Sequence, residues 1–173
     1  TDDKNVKTPP IMSPSTNIDN IESDIPIVVI DEGFSLNECS TIPSSAPILY
    51  LRPRTICAGI GCKRNMEQKP IEEALLQTLK EAGLHPLSLK CIATIPLKSD
   101  EPGIIGTAAN LNVPLKIIPT EEIEKLDISQ LGIATSEFVA SQTGVLSVST
   151  ACSYLASGKG EILRDKAKYK GIT

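Results

Sequence analysis

From Ile71 to Ala82 the apolar residues fall three and four apart. Ile71, Leu75, Leu79 and Ala82 share one face with Ala74 and Leu76, while Glu72, Glu73, Gln77, Lys80 and Glu81 take the other. That is the pattern of a helix with one face on a core. Pro70 fits its first turn, where a missing N–H costs nothing, and Gly83 is a natural stop. The spacing predicts a helix from about Pro70 to Ala82. Elsewhere the apolar residues come in short continuous runs, which read as strands: Ile25–Ile30, Ile48–Leu51, the run ending at Gly59, Cys91–Leu97 and Val113–Ile118. Asp31-Glu32-Gly33 is expected to turn the first of these. Ser99 or Asp100 is expected to cap a second helix starting near Pro102, with Ile104, Ile105, Ala108 and Leu111 inward and Asn112 at its end. Thr120 is expected to cap a short acidic helix through Leu126. Further helical turns are read over Ser136–Gln142 and Ser147–Ala156, the latter ended by Gly158. Closing strands are read at Glu161–Leu163 and Tyr169–Thr173. Residues from Thr1 to about Ser23, rich in Asp, Asn, Ser, Thr and Pro, read as a linker.

Strands alternating with helices imply an α/β fold, expected as a three-layer α/β/α sandwich around a mixed, mostly parallel sheet. Ligands in such sheets bind beyond the carboxyl ends of the strands. Two stretches with chemical potential fall there. In Thr55–Asn65 a strand runs into Gly59 and Gly61, then Cys62, Lys63 and Arg64. Glycines let a backbone turn and let a ligand approach, the following helix start carries positive partial charge, and the two cations add to it. An anion pocket and a plain turn with solvated cations both fit these residues. The third glycine of a dinucleotide fingerprint is absent, because Arg64 stands in its place, and nothing matches a P-loop. The second stretch places Lys98 and Glu101 three apart at a strand-to-helix join, with Thr94 a short way upstream. The pair fits acid–base or oxyanion chemistry, and equally a carboxylate stabilising a first helical turn.

Composition narrows the choices. Of 173 residues 40% are hydrophobic and only 3% aromatic, with no Trp, so one domain with an aliphatic core is expected. A net charge of −4 argues against nonspecific nucleic-acid binding. No apolar run approaches the ~18 residues of a membrane span, so no membrane association is expected. Cys39, Cys57, Cys62, Cys91 and Cys152 are odd in number, without a C-x-x-C pair and with one histidine, His85. No metal site or disulfide framework is expected from that spacing. Cys57, Cys91 and Cys152 read as buried thiols of a reducing compartment, and Cys62 as a thiol packed under the turn rather than an activated nucleophile.

Three blocks then resemble a known family, the C-terminal domain of the cobalamin-biosynthesis protein CbiG and its single-domain relative CobE. They are Gly59-Ile60-Gly61-Cys62-Lys63-Arg64 with Ile71-Glu72-Glu73-Ala74 and Ala82-Gly83-Leu84 behind it; Ala93-Thr94-Ile95-Pro96-Leu97-Lys98-Ser99-Asp100-Glu101-Pro102-Gly103; and, more weakly, Ser136-Glu137-Phe138-Val139 with Gly144-Val145-Leu146-Ser147-Val148. Asn65 stands where the family usually has glycine, and Thr150 where it usually has an acid. The resemblance implies a family domain over residues 47–173, with 1–46 the remnant of a preceding region. It implies anaerobic cobalamin synthesis in the cytoplasm. The full-length family opens the lactone of cobalt-precorrin-5A and releases acetaldehyde to give cobalt-precorrin-5B. The implied partners are a cobalt-corrinoid intermediate, which carries its own cobalt so that no cofactor is bound by the protein, and the N-terminal region of the full-length protein. A noncatalytic corrinoid-binding or accessory module is the alternative. On this reading Gly59, Gly61, Cys62, Lys63, Arg64 and Thr94 line the substrate site, and Lys98 and Glu101 act in catalysis.

Overall fold

The computed structural model describes residues 26–33, 47–126, 148–164 and 166–173. The expected linker up to Ser23 and the helical turns over 136–142 lie outside them. Three parallel strands form the central sheet: β3 (Ile56–Gly59), β4 (Leu89–Thr94) and β5 (Leu115–Ile117), with β4 in the middle. Cys57 pairs with Cys91, Gly59 with Ala93 and Thr94 with Ile117. A separate two-stranded parallel ribbon joins β1 (Ile27–Ile30) to β2 (Ile48–Leu51). It meets the main body where the Glu32 carbonyl accepts the N–H of His85 and the Ser88 hydroxyl, and where Gly33 bridges Leu84.

The core is divided in two by β4, which alternates from Cys91 onward, while a register irregularity opposite Ile56 and Cys57 puts Leu89 on the side of Ile92. Leu89 and Ile92 face α1 (Gln68–Glu81) and α2 (Pro102–Asn110), packing with Ile71, Leu75, Leu79, Ile104 and Ala108. Cys91 and Ala93 face the opposite way onto Ile118, Cys152 and Ala156. There α4 (Val148–Ala156) covers the sheet and the short α3 (Thr120–Glu124) packs beside it. The result is the expected order of helices, sheet and helices. Among the described residues both sheets are wholly parallel rather than mixed. Residues 171–173 run antiparallel to the Gly61–Lys63 segment only as an isolated bridge, where Gly61 and Thr173 exchange both backbone hydrogen bonds at 2.7 and 2.8 Å and Lys63 N–H donates to Gly171 at 2.8 Å.

Several boundaries differ from expectation, each for a local reason. The fourth strand ends at Thr94, because Pro96 fixes its φ and opens a 3-10 turn over Pro96–Lys98. Neither Ser99 nor Asp100 caps α2; Glu101 occupies the cap position without a side-chain cap bond. Ile105 of α2 is exposed, and the inward stripe is Gly103, Ile104, Thr107 and Ala108. Pro119, not Thr120, stands at the cap of α3. The segments at Glu161–Leu163 and Tyr169–Thr173 form no strand; Tyr169 and Ile172 make single bridges only. Gly83 (φ 71°) and Asn112 (φ 51°) end their helices in the left-handed region, as expected.

Candidate functional site

Parallel connectivity sends α1, α2 and α3 off the carboxyl ends of β3, β4 and β5 in turn. The fourth helix also starts there, since Ser149 lies against Gly59, the last residue of β3. Helix starts therefore gather at one edge of the sheet, where their unpaired N–H groups and positive dipole ends favour anions. The Cys62–Asn65 turn and the Pro96–Glu101 loop meet at this edge.

Their junction is Glu101. This carboxylate is 0% exposed, yet every donor around it is aimed at it. Lys98 Nζ lies 2.8 Å and Arg64 NH1 3.4 Å from Oε1, and the backbone N–H of Asn65 donates to Oε2 at 2.9 Å. The Lys98 hydrogen bond, the Asn65 amide and the two positive charges hold Glu101 below the usual carboxylate range, against the opposing effect of burial. Asn65 reaches this geometry at φ 58°, a left-handed conformation that Asn tolerates better than most residues.

The other cations differ in availability. Arg64 NH1 sits 2.8 Å from Asp100 Oδ1 in a pair whose side chains are 55% and 69% exposed. Lys98 is 17% exposed and tied to Glu101. Lys63 is exposed, with its aliphatic stem beside Gly171. Among the described residues no ion pair or hydrogen bond engages its ammonium. Of the three cations at the edge, Lys63 is the one uncommitted to a protein carboxylate.

The remaining sequence-predicted residues serve the frame. A side chain at Gly59 would place Cβ 1.7 Å from the Ser149 carbonyl oxygen, and one at Gly61 would stand 2.9 Å from Thr173 Oγ1. Both glycines thus admit neighbouring chain. Thr94 is buried and its hydroxyl donates to the Ile60 carbonyl at 2.8 Å, tying the end of β3 to the end of β4. Cys62 is half-buried, and burial together with the negative charge of Glu101 pushes its thiol up, with Lys98 opposing. That environment disfavours the thiolate, in line with a packing role. Among the described residues no three His, Cys, Asp or Glu side chains are grouped to hold a metal ion, and no helix is long and apolar enough to cross a membrane.

A cleft of about 180 Å³ lies elsewhere, along the free edge of β3 between α1, α4 and the final segment. It shares Gly59 and Ile60 with the strand end but contains none of Lys63, Arg64, Lys98 and Glu101.

Both loops end strands and were expected to share one pocket; the contacts that join them carry no sequence signal. The Asn65 amide carries no signature of its own, and the Arg64–Asp100 pair links residues 36 positions apart.

The profile of the family described as "Cobalamin synthesis G C-terminus" matches residues 56–173. The chain is 33% identical over 137 residues to the cobalt-precorrin-5A hydrolase of Salmonella typhimurium, covering 79% of this chain and 37% of that protein. Among solved structures, CobE, a protein of the cobalamin biosynthetic pathway, overlays with a TM-score of 0.56 at 27% identity, covering 69% of this chain and 87% of that one. The cobalamin biosynthesis protein ChiG of Agrobacterium tumefaciens gives 0.53 at 26% identity, covering 67% and 91%. The chain spans about a third of the length of the curated hydrolases it matches.

Proposed function

The chain belongs to the cobalamin synthesis G C-terminus family, and on that premise we propose that it is the C-terminal domain of a cobalt-precorrin-5A hydrolase, receiving a cobalt-corrinoid intermediate at the carboxyl edge of its sheet. The observation that carries the reading is the uncommitted Lys63 beside the gathered helix starts. The substrate is a macrocycle edged with carboxylates, and such groups suit an exposed ammonium and backbone N–H donors. Arg64 offers a second contact once a substrate carboxylate replaces Asp100, because exposed ion pairs are weak.

The reaction proposed for the full-length protein is opening of the lactone and release of acetaldehyde. Within this domain Lys98 and Glu101 are the candidates for a part in it. Lys98 keeps N–H donors beyond the one Glu101 accepts, and a cation fixed at this edge would stabilise negative charge developing on a lactone oxygen.

A second reading has its own observation. CobE matches this fold over 87% of its own chain, so the domain also occurs with little else attached, and an accessory corrinoid-binding module is the alternative. The two separate by assay. With the region that precedes this domain in the longer hydrolases joined to it, the hydrolase reading expects acetaldehyde from cobalt-precorrin-5A, lost on Lys98→Met. Acetaldehyde release that survives Lys98→Met removes Lys98 from the chemistry. A joined protein that binds the corrinoid without turnover favours the accessory role.

A further inference from the structure

We infer that Glu101 is a positioning residue: its buried carboxylate latches the Cys62–Asn65 turn to the Pro96–Glu101 loop and fixes Lys98, and does not carry a proton. The inference rests on the proposed corrinoid site for its functional meaning, but its geometry does not depend on that site.

Three observations carry it. First, both carboxylate oxygens are committed, and to different loops. Oε1 takes Lys98 at 2.8 Å from its own loop and Arg64 at 3.4 Å from the other, while Oε2 takes the Asn65 amide at 2.9 Å. A general acid or base needs an oxygen that reaches substrate or water, and a group 0% exposed with its oxygens so engaged offers none. Second, the turn it holds is otherwise hard to hold. Asn65 sits at φ 58°, and a left-handed residue persists only where its surroundings over-determine it. The hydrogen bond to Glu101 does so at that residue, while the Gly171 and Thr173 backbone secures Lys63 and Gly61 on the other side. Third, the loops are packed to close tolerance directly behind the latch. A Cβ at Gly103 would stand 2.2 Å from the Met66 carbonyl oxygen, so the start of α2 and the lead into α1 have one relative placement, and Glu101 spans it.

The consequence is a division of labour at the edge. Glu101 fixes where the Lys98 ammonium lies and how Lys63 and Arg64 are presented. Lys98 and Lys63, with Arg64 once a ligand replaces Asp100, are then the groups that meet an anionic ligand.

Glutamine at this position separates the alternatives. It has a single acceptor oxygen and an NH2 in place of the second. Wherever it turns, either the Asn65 amide or the Lys98–Arg64 pair faces a donor. In the ligand-free chain, Glu101→Gln is expected to raise hydrogen exchange at the Asn65 amide at least tenfold, while amides of β4 keep their protection. Affinity for a cobalt-corrinoid polycarboxylate is expected to fall about tenfold. Unchanged exchange at Asn65 would overturn the latch, and so would affinity within twofold of the original. If the variant does not fold, the original chain still decides. Its Asn65 amide proton is expected to follow a carboxyl titration below the usual carboxylate range, and to do so equally in Asp100→Asn. Lys98, Arg64 and Cys62 face Glu101, and Asp100 pairs with the same Arg64, which makes Asp100→Asn the control. An Asn65 proton indifferent to acid overturns the inference. Absence of corrinoid binding in the original chain counts against the proposed function and leaves the exchange result standing.

Discussion

Gly59 ends its strand with the Ser149 carbonyl where a side chain would be: a Cβ there would lie 1.7 Å from that oxygen and 3.0 Å from the Ser153 nitrogen. The neighbour is helix backbone, which cannot step aside as a flexible side chain would. This glycine seats the start of α4 on the sheet and brings a fourth helix start to the charged edge. Gly59→Ala is therefore expected to cost about 3 kcal/mol or more, read by urea denaturation. A loss below about 1 kcal/mol would mean that α4 is not seated this closely.

Thr94 makes a smaller but more local contribution. Its buried hydroxyl donates to the Ile60 carbonyl, so Thr94→Val keeps the shape and leaves that carbonyl without this donor. A loss of about 1–3 kcal/mol is expected. The amide of Gly61, just beyond, should exchange faster. An unaltered melting temperature would remove Thr94 from the tie between strand ends.

Cys91 and Cys152 predict an alkaline weakness. Burial pushes both thiols up to about 12, while an unfolded cysteine ionises near 8.5. Their folded pKa is raised, so their stabilising effect is complete below the unfolded value and is lost as pH climbs toward the folded one. Between about pH 9 and 12 stability should fall with a slope approaching about 1.4 kcal/mol per pH unit for each thiol. Replacing both by Ala should flatten the slope in that window. A slope unaltered by the double replacement would assign it to other groups.

Lys63 and Asp100 should act in opposite directions on binding. Lys63→Ala removes the uncommitted cation and should weaken a corrinoid polycarboxylate about tenfold. Asp100→Asn releases Arg64 and should strengthen it by about threefold, the scale of an exposed ion pair. Both effects should shrink in 1 M salt, where the screening length is about 3 Å. Isothermal titration of the two variants checks the signs, and a loss of affinity in Asp100→Asn would contradict the assignment of Arg64 to the ligand.

The layered fold was legible because local pattern and global packing agree. The Ile71–Ala82 periodicity needs only one apolar face, and the short apolar runs need only a buried parallel sheet. What misled was local chemistry overridden by tertiary contact. Ser99 and Asp100 are good capping residues, yet Glu101 takes the cap position and turns its carboxylate to the neighbouring loop. Ile105 continues an apolar stripe in sequence, but α2 rests on Gly103 and Thr107, whose small size admits the lead into α1. Gly59 and Gly61 read as room for a ligand and turn out to admit Ser149 and Thr173. A sequence shows that a residue is small; only the fold shows what fills the space. The charges were legible as a cluster, but not which of them are neutralised, because the Arg64–Asp100 and Asn65–Glu101 pairs join separate loops.

The carboxyl edge of the sheet is proposed to receive a carboxylate-edged cobalt-corrinoid. An absorbance titration of the chain with a cobalt-corrinoid intermediate, run beside a porphyrin carrying the same number of carboxylates, tests it most directly. Saturable binding that prefers the corrinoid and weakens on Lys63→Ala is expected. Equal binding of the porphyrin, or no binding by a chain shown to be folded, would contradict it.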